Sequence, residues 1–280
     1  MPKTPQRYFS VVAQSALAVA IGLLSIILLV AALFPQRAFA ATPSSKPTVV
    51  LVHGAFAESS SWNGVVSRLL GQGYPVIAVA NPLRGVQSDA RYVTSVLDSI
   101  SGPVVLVGHS YGGIVITNVA PARANVKALV YVAGFAAELG ESAADLSGKF
   151  PGSTLAPTLA PPVMLPDGGK DLYIQQSKFH AQFAADLPAA QAALMATAQR
   201  PITEAALNEP SAAPVWKGIP SWFVYGSRDK NIPPALQPFM AQRAGAKRIV
   251  EVAGASHVVM TSHPETVTKL IVEAAGAAGQ

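Results

Sequence analysis

Residues 108–113 read GHSYGG and follow directly on the apolar run PVVLVG, residues 103–108. One reading is a small packing turn that joins a strand to a helix. The other is a nucleophile, Ser110, held on a strained bend. Glycine alone does not separate them, because either bend needs residues without a Cβ where backbones approach closely. The pentapeptide Gly108-His109-Ser110-Tyr111-Gly112 has the form G-x-S-x-G, which carries chemistry only between a strand and a helix. The flanking sequence therefore decides.

On both sides of this stretch, short runs rich in Val and Ile alternate with longer amphipathic ones. TVVLVH (48–53), PVIAVA (75–80), PVVLVG (103–108), KALVYVAG (127–134), SWFVYG (221–226) and RIVEVAG (248–254) read as strands. Helices are expected over 61–73, over 88–100 with Ser88 as N-cap, from Ser110 to about Pro121, around 234–244, and from Pro264 onward. Continuous apolar strands alternating with helices predict an α/β fold, with a mostly parallel sheet covered on both faces. Residues 136–214 break the alternation. A Pro-, Gly- and Ala-rich stretch leads there into DLYIQQSKFHAQFAADLPAAQAALMATAQR. It predicts a small helical cap or lid, inserted before the last strands and lying over the carboxyl ends of the sheet.

The first forty residues form a separate unit. Lys3 and Arg7 precede an uncharged run from Tyr8 to Gln36, which leads to Ala38-Phe39-Ala40. This resembles a secretory signal peptide cleaved after Ala40, leaving a domain over 41–280 in the periplasm or outside the cell. The run is also long enough to span about 30 Å of bilayer as a helix, so an uncleaved membrane anchor stays open. That segment would be the only membrane contact. The formal charge of +5 owes much to it, since Lys3, Arg7 and Arg37 have no acidic neighbour before residue 41. Without them 17 basic residues face 15 acidic ones, a balance of +2, and the composition gives no ground for nucleic-acid binding. The chain has no cysteine, which excludes disulfides, thiolate metal sites and a cysteine nucleophile.

A serine nucleophile needs a base and an acid that orients it. His257, in GASHVVM after the RIVEVAG strand, is the histidine placed at the sheet edge where ligands bind in open α/β sheets. His53 reads as a loop-shaping residue, His109 as pointing away from its neighbour Ser110, His180 as a cap residue and His263 as a helix-start residue. Asp229, in GSRDKNIPP after the SWFVYG strand, is the orienting acid, with Glu138 in GFAAELGES as its competitor. The order Ser110, Asp229, His257 differs from the orders of the chymotrypsin and subtilisin triads. Two backbone N–H groups should form an oxyanion hole: that of Tyr111, just after the nucleophile, and that of Ala55, in HGAF after the first strand. Phe56 and Trp62 either line the substrate pocket or only pack.

LVHGAF, GHSYGG, YGSRDKNIP and GASHVVM, in this order, resemble the α/β-hydrolases over nearly all of the chain after the leader. The short N-terminal side resembles the branch that holds plant methylesterases, hydroxynitrile lyases and many bacterial esterases. This resemblance implies a Ser-His-Asp triad of Ser110, His257 and Asp229, no cofactor and no metal. It also implies an acyl-enzyme route for a small-molecule carboxylic ester, and the apolar cap suggests an apolar portion in that ester. The hydroxynitrile lyases carry a lysine directly after the catalytic histidine, where this chain has Val258, which disfavours that chemistry. A lactonase, a cofactor-free perhydrolase, a C–C lyase or a non-catalytic binder remains an alternative on the same scaffold.

Overall fold

The computed structural model describes residues 46–119 and 125–278. The signal-peptide and anchor readings of residues 1–40 fall outside the described residues. The helix expected from Ser110 to about Pro121 ends at Thr117, with Asn118 as its C-cap. Among the described residues, no helix is long and apolar enough to cross a membrane.

Each apolar run forms a strand, and the amphipathic stretches between them form helices. In chain order, β1 (Thr48–Val52), a helix at Asn63–Gly71, β2 (Val76–Val79), a helix at Val86–Asp98, β3 (Val104–His109), a helix at Tyr111–Thr117 and β4 (Val126–Val132) build the first half. An insertion follows, with a helix at Ala143–Lys149, β5 (Val163–Met164) and β6 (Lys170–Leu172). It continues with helices at Gln176–Phe183 and Ala189–Ala198, β7 (Ile202–Thr203) and a helix at Glu204–Asn208. The chain then completes the fold with β8 (Ser221–Gly226), a helix at Leu236–Arg243, β9 (Arg248–Val252) and helices at Val259–Ser262 and Pro264–Ala278.

Six strands form one sheet in the order β2-β1-β3-β4-β8-β9, and every neighbouring pair is parallel. This is the expected α/β-hydrolase sheet. All six residues of β3 are buried, because helices cover both faces of a parallel sheet. Tyr131 of β4 and Phe223 of β8 are paired in register, and their rings stack at 4.6 Å. The chain runs outward from β1 to β2 and returns to β3 on the other side of β1. This reversal opens a crevice at the carboxyl ends of β1 and β3. The loop after β1 carries HGAF and the turn after β3 carries Ser110, so the two flank it.

Two further details differ from the sequence reading. The helix expected to start at Ser88 has Gly85 as its N-cap, three residues earlier. Its first N–H groups, at Val86 and Gln87, donate to the Glu209 carboxylate at 2.7 and 3.1 Å. That cap lies 123 residues away along the chain, beyond the reach of any local pattern. The insertion between β4 and β8 also holds β5, β6 and β7 as an antiparallel sheet. Strands of two or three residues are too short to show an alternation.

Candidate active site

The bend after β3 is strained at the residue the sequence singles out. Ser110 has φ +52° and ψ −123°, a conformation that costs a non-glycine residue about 1–3 kcal/mol. Four hydrogen bonds hold it there. Its N–H donates to Val132 O and Ala133 O at 3.2 and 3.1 Å, and its carbonyl accepts from Gly113 and Phe135 N–H at 2.9 and 3.1 Å. The flanking glycines answer to close approach: a Cβ on Gly108 would lie 2.5 Å from Gly112 O, and one on Gly112 would collide with Val52 O. The helix Tyr111–Thr117 starts directly after the serine, so the N–H of Tyr111 has no partner within it. The Tyr111 hydroxyl donates to buried Asp89 at 3.0 Å, anchoring the ring below the bend.

The loops after β8 and β9 bring Asp229 and His257 together. His257 Nδ1 lies 2.7 Å from Asp229 Oδ2, with both side chains shielded from solvent. A carboxylate accepts, so Nδ1 carries a proton, and in the neutral imidazole the lone pair is then on Nε2. Nε2 is buried without a hydrogen-bond partner among the described residues. The other carboxylate oxygen, Oδ1, accepts the N–H groups of Asn231 and Ile232 at 2.8 and 3.0 Å, which fixes the orientation of the acid. Ser110 and His257 line one cavity. No hydrogen bond joins the two side chains.

The remaining histidines take structural positions. His53 Nδ1 donates to Gly54 O at 2.9 Å, while its Nε2 accepts the Asn81 N–H at 3.0 Å. Burial is the main cause that lowers its pKa to about 4, so it is a neutral brace for the HGAF loop. His109 lies beneath His257, with ring centroids 4.8 Å apart, and donates from Nε2 to His257 O at 3.2 Å. Burial, and then the proximity of His257, push its pKa well below the usual histidine range. His180 contacts Leu187 O within the cap at 2.9 Å, and His263 directly precedes the helix at Pro264–Ala278. Glu138 pairs with Lys217 at 2.7 Å, whereas it is Asp229 that pairs with His257.

The HGAF loop packs against Ser110 so tightly that a Cβ on Gly54 would sit 2.6 Å from Ser110 Cβ and 3.1 Å from Tyr111 N. Ala55 and Tyr111 both line the cavity, and no backbone group among the described residues accepts the Ala55 N–H. The Phe56 N–H, by contrast, donates to Arg200 O at 2.9 Å. The cavity measures about 200 Å³. Phe56 lines it, together with Phe135, Leu155, Leu159, Phe183 and Ile232. Trp62 does not: it is fully buried and meets the His109 ring edge-to-face at 6.3 Å. Of the two readings for Trp62, its position fits packing.

A model of the alpha/beta hydrolase family matches residues 49–270. The chain belongs to that family. It is 26% identical over 253 residues to the alpha/beta hydrolase nvfD of Aspergillus novofumigatus, covering 83% of this chain and 98% of that one. Among solved structures it is similar to polyneuridine aldehyde esterase, with TM-score 0.70, 18% identity, and coverage of 81% and 98%. An extracellular α/β-hydrolase from a Paenibacillus species gives TM-score 0.65 and 23% identity, with coverage of 82% and 99%. At these identities the solved structures speak for the fold, while family membership supports a hydrolase acting on small molecules.

In this α/β-hydrolase the cap and the loop after β8 supply residues that the sequence reading did not single out. Phe183 places its ring 5.1 Å from that of His257, and Asn231 lines the cavity beside Asp229. The sequence offered a signal for Asn231 alone, two residues after Asp229, and none for Phe183. Val258, at the position of the lyase lysine, is fully buried. Among the described residues, no group of three or more His, Cys, Asp or Glu is placed to hold a metal ion.

Proposed function

We propose that this hydrolase cleaves carboxylic esters through an acyl-enzyme formed on Ser110. His257 Nε2 takes the Ser110 proton as the hydroxyl attacks the acyl carbon, then returns it to the leaving alcohol. Asp229 holds the imidazole in the tautomer that leaves Nε2 free, and it balances the imidazolium as it forms. The N–H groups of Ala55 and Tyr111 receive the oxyanion, where one lost donor costs about 3 kcal/mol of barrier. Water activated by the same imidazole then releases the acid. No cofactor enters this scheme. The observation that carries the reading is the buried 2.7 Å contact of Asp229 with His257 Nδ1, with Nε2 unpartnered at the cavity that holds the strained serine.

The apolar walls, with no Asp, Glu, Lys or Arg among them, favour a neutral ester with an apolar portion. The similar proteins include an esterase and an extracellular α/β-hydrolase, which accords with an ester substrate and with export directed by residues 1–40. A fluorophosphonate probe tests the mechanism: wild type should label covalently and Ser110→Ala should not. Equal labelling of the two proteins overturns it. N-terminal sequencing of the exported protein tests the leader. A start at Ala41 supports cleavage, and a retained leader supports the anchor.

A further inference from the structure

One short cap segment contacts the loop beside Asp229, the residue before His257 and the His257 ring. Gln182, at the end of the helix Gln176–Phe183, is buried. Its Nε2 donates to Lys230 O at 2.9 Å and to Asn231 Oδ1 at 3.2 Å, and its own carbonyl accepts from Asn231 Nδ2 at 3.3 Å. Its Oε1 accepts from Thr154 Oγ1 at 2.9 Å, so the amide is fully engaged. Lys230 and Asn231 belong to the loop whose N–H groups, at Asn231 and Ile232, orient Asp229. The next residue, Phe183, lies edge-on against the His257 ring. Its carbonyl accepts from Ser256 Oγ at 3.3 Å, and Asp186 Oδ1 forms a short hydrogen bond with the same hydroxyl. Ser256 is buried and directly precedes His257.

We propose that residues 182–186 of the cap are a positioning element for the dyad. Gln182 fixes the loop that aims Asp229, and Asp186 fixes the residue from which His257 projects. The cap then contributes to the chemical step as well as to the walls of the cavity. None of these groups touches the reacting atoms, so their effect passes through the alignment of Nδ1 with Oδ2. Misalignment on the scale of an ångström costs up to about 100-fold in rate. The inference rests on the proposed triad, and its test separates the two.

The variants are Gln182→Leu, which removes every amide hydrogen bond at similar volume, Asp186→Ala, and Asp186→Asn. The asparagine keeps an acceptor for the Ser256 hydroxyl but loses the charge facing His263, which lies 3.7 Å from Asp186 Oδ2. Folding is checked by circular dichroism and Tm. Kinetics are read on a short p-nitrophenyl ester, and the far-downfield proton resonance of His257 Nδ1–H is read by NMR, with Asp229→Asn as the control that abolishes it. The expected result is a kcat lowered about 10- to 100-fold in Gln182→Leu and Asp186→Ala with KM within about twofold of wild type. The resonance should be shifted or lost in both, and Asp186→Asn should restore both signals. Unchanged kcat in folded variants, or a lowered kcat with the resonance in place, overturns the proposal. Should Gln182→Leu not fold, the Asp186 pair decides alone. If Ser110→Ala keeps its activity, the triad fails instead.

Discussion

Asp229→Asn is the substitution for which the structure dictates a direction and a size. The amide is isosteric with the carboxylate, so the loop should keep its shape. Its two ends are no longer equivalent, however. Oδ1 accepts two backbone N–H groups, from Asn231 at 2.8 Å and Ile232 at 3.0 Å. An NH₂ group at that end would leave both donors facing a donor, at about 1–3 kcal/mol each. The amide oxygen therefore stays at the Oδ1 position, and the NH₂ turns to His257 Nδ1. The imidazole answers by accepting at Nδ1 and carrying its proton on Nε2, the atom that takes the Ser110 proton in the proposed mechanism. Reversing the amide costs the sum of two such penalties, about 2–6 kcal/mol, so the active tautomer falls to roughly 1 in 30 to 1 in 20,000. A wrong-tautomer defect of this kind lowers kcat by about 10⁴-fold, near the upper end of that range. The assay is kcat and KM on a chromogenic ester beside a thermal melt, with Glu138→Gln as the control. Glu138 pairs with Lys217, and its neutralisation should leave kcat alone. Asp229→Asn with a wild-type melt and a kcat within about tenfold of wild type refutes the tautomer argument.

Other expectations follow from individual contacts. Gly54→Ala drives a methyl to 2.6 Å from Ser110 Cβ, so the oxyanion loop must shift and kcat/KM should fall by at least about 100-fold; activity near wild type would show that the loop yields freely. Trp62→Ala should cost about 3–5 kcal/mol of stability in a denaturant melt, while Trp62→Phe should leave KM unchanged. A KM shift in the phenylalanine variant would return that position to the substrate site. Glu141 supplies a pH dependence. Burial alone would raise its pKa, but Arg243 at 2.8 Å, the Glu138 N–H and Lys149 outweigh it and hold the value down at about 2. The stabilisation is therefore complete above the ordinary glutamate range and is lost as pH falls toward about 2. The Tm gap between wild type and Glu141→Gln should close over that window. At neutral pH it should amount to about 2–4 °C, because the site is partly exposed and worth about 1 kcal/mol.

The parts of the fold that were legible in the sequence are those fixed by local pattern. Runs such as VVLVG and WFVYG declare buried strands, and the Gly-x-Ser-x-Gly spacing declares the bend, because neighbouring residues in the chain set both. Asp229 and His257 were legible since each follows a strand of a parallel sheet, and all such strands end at one edge. Partners chosen across the fold were not legible. Glu209 caps a helix begun 123 residues earlier, and Gln182 and Asp186 sit in an alanine-rich stretch where nothing marks one polar residue above another. Trp62 stayed ambiguous for the same reason: a tryptophan near an active-site loop looks alike in sequence whether it faces the ligand or the back of a histidine.

The order of the strands also bears on when activity can first emerge. His109, beside the nucleophile, and His257 are 148 residues apart along the chain, and β8 and β9 join the sheet only beyond β4. Parallel pairings between distant segments carry a large loop-closure cost and form slowly. A nascent or refolding chain can therefore bend GHSYGG early and still be inert until its last quarter has docked. Probe labelling of Ser110 becomes a clock for completion of the sheet, and a C-terminal truncation should silence the serine without touching it.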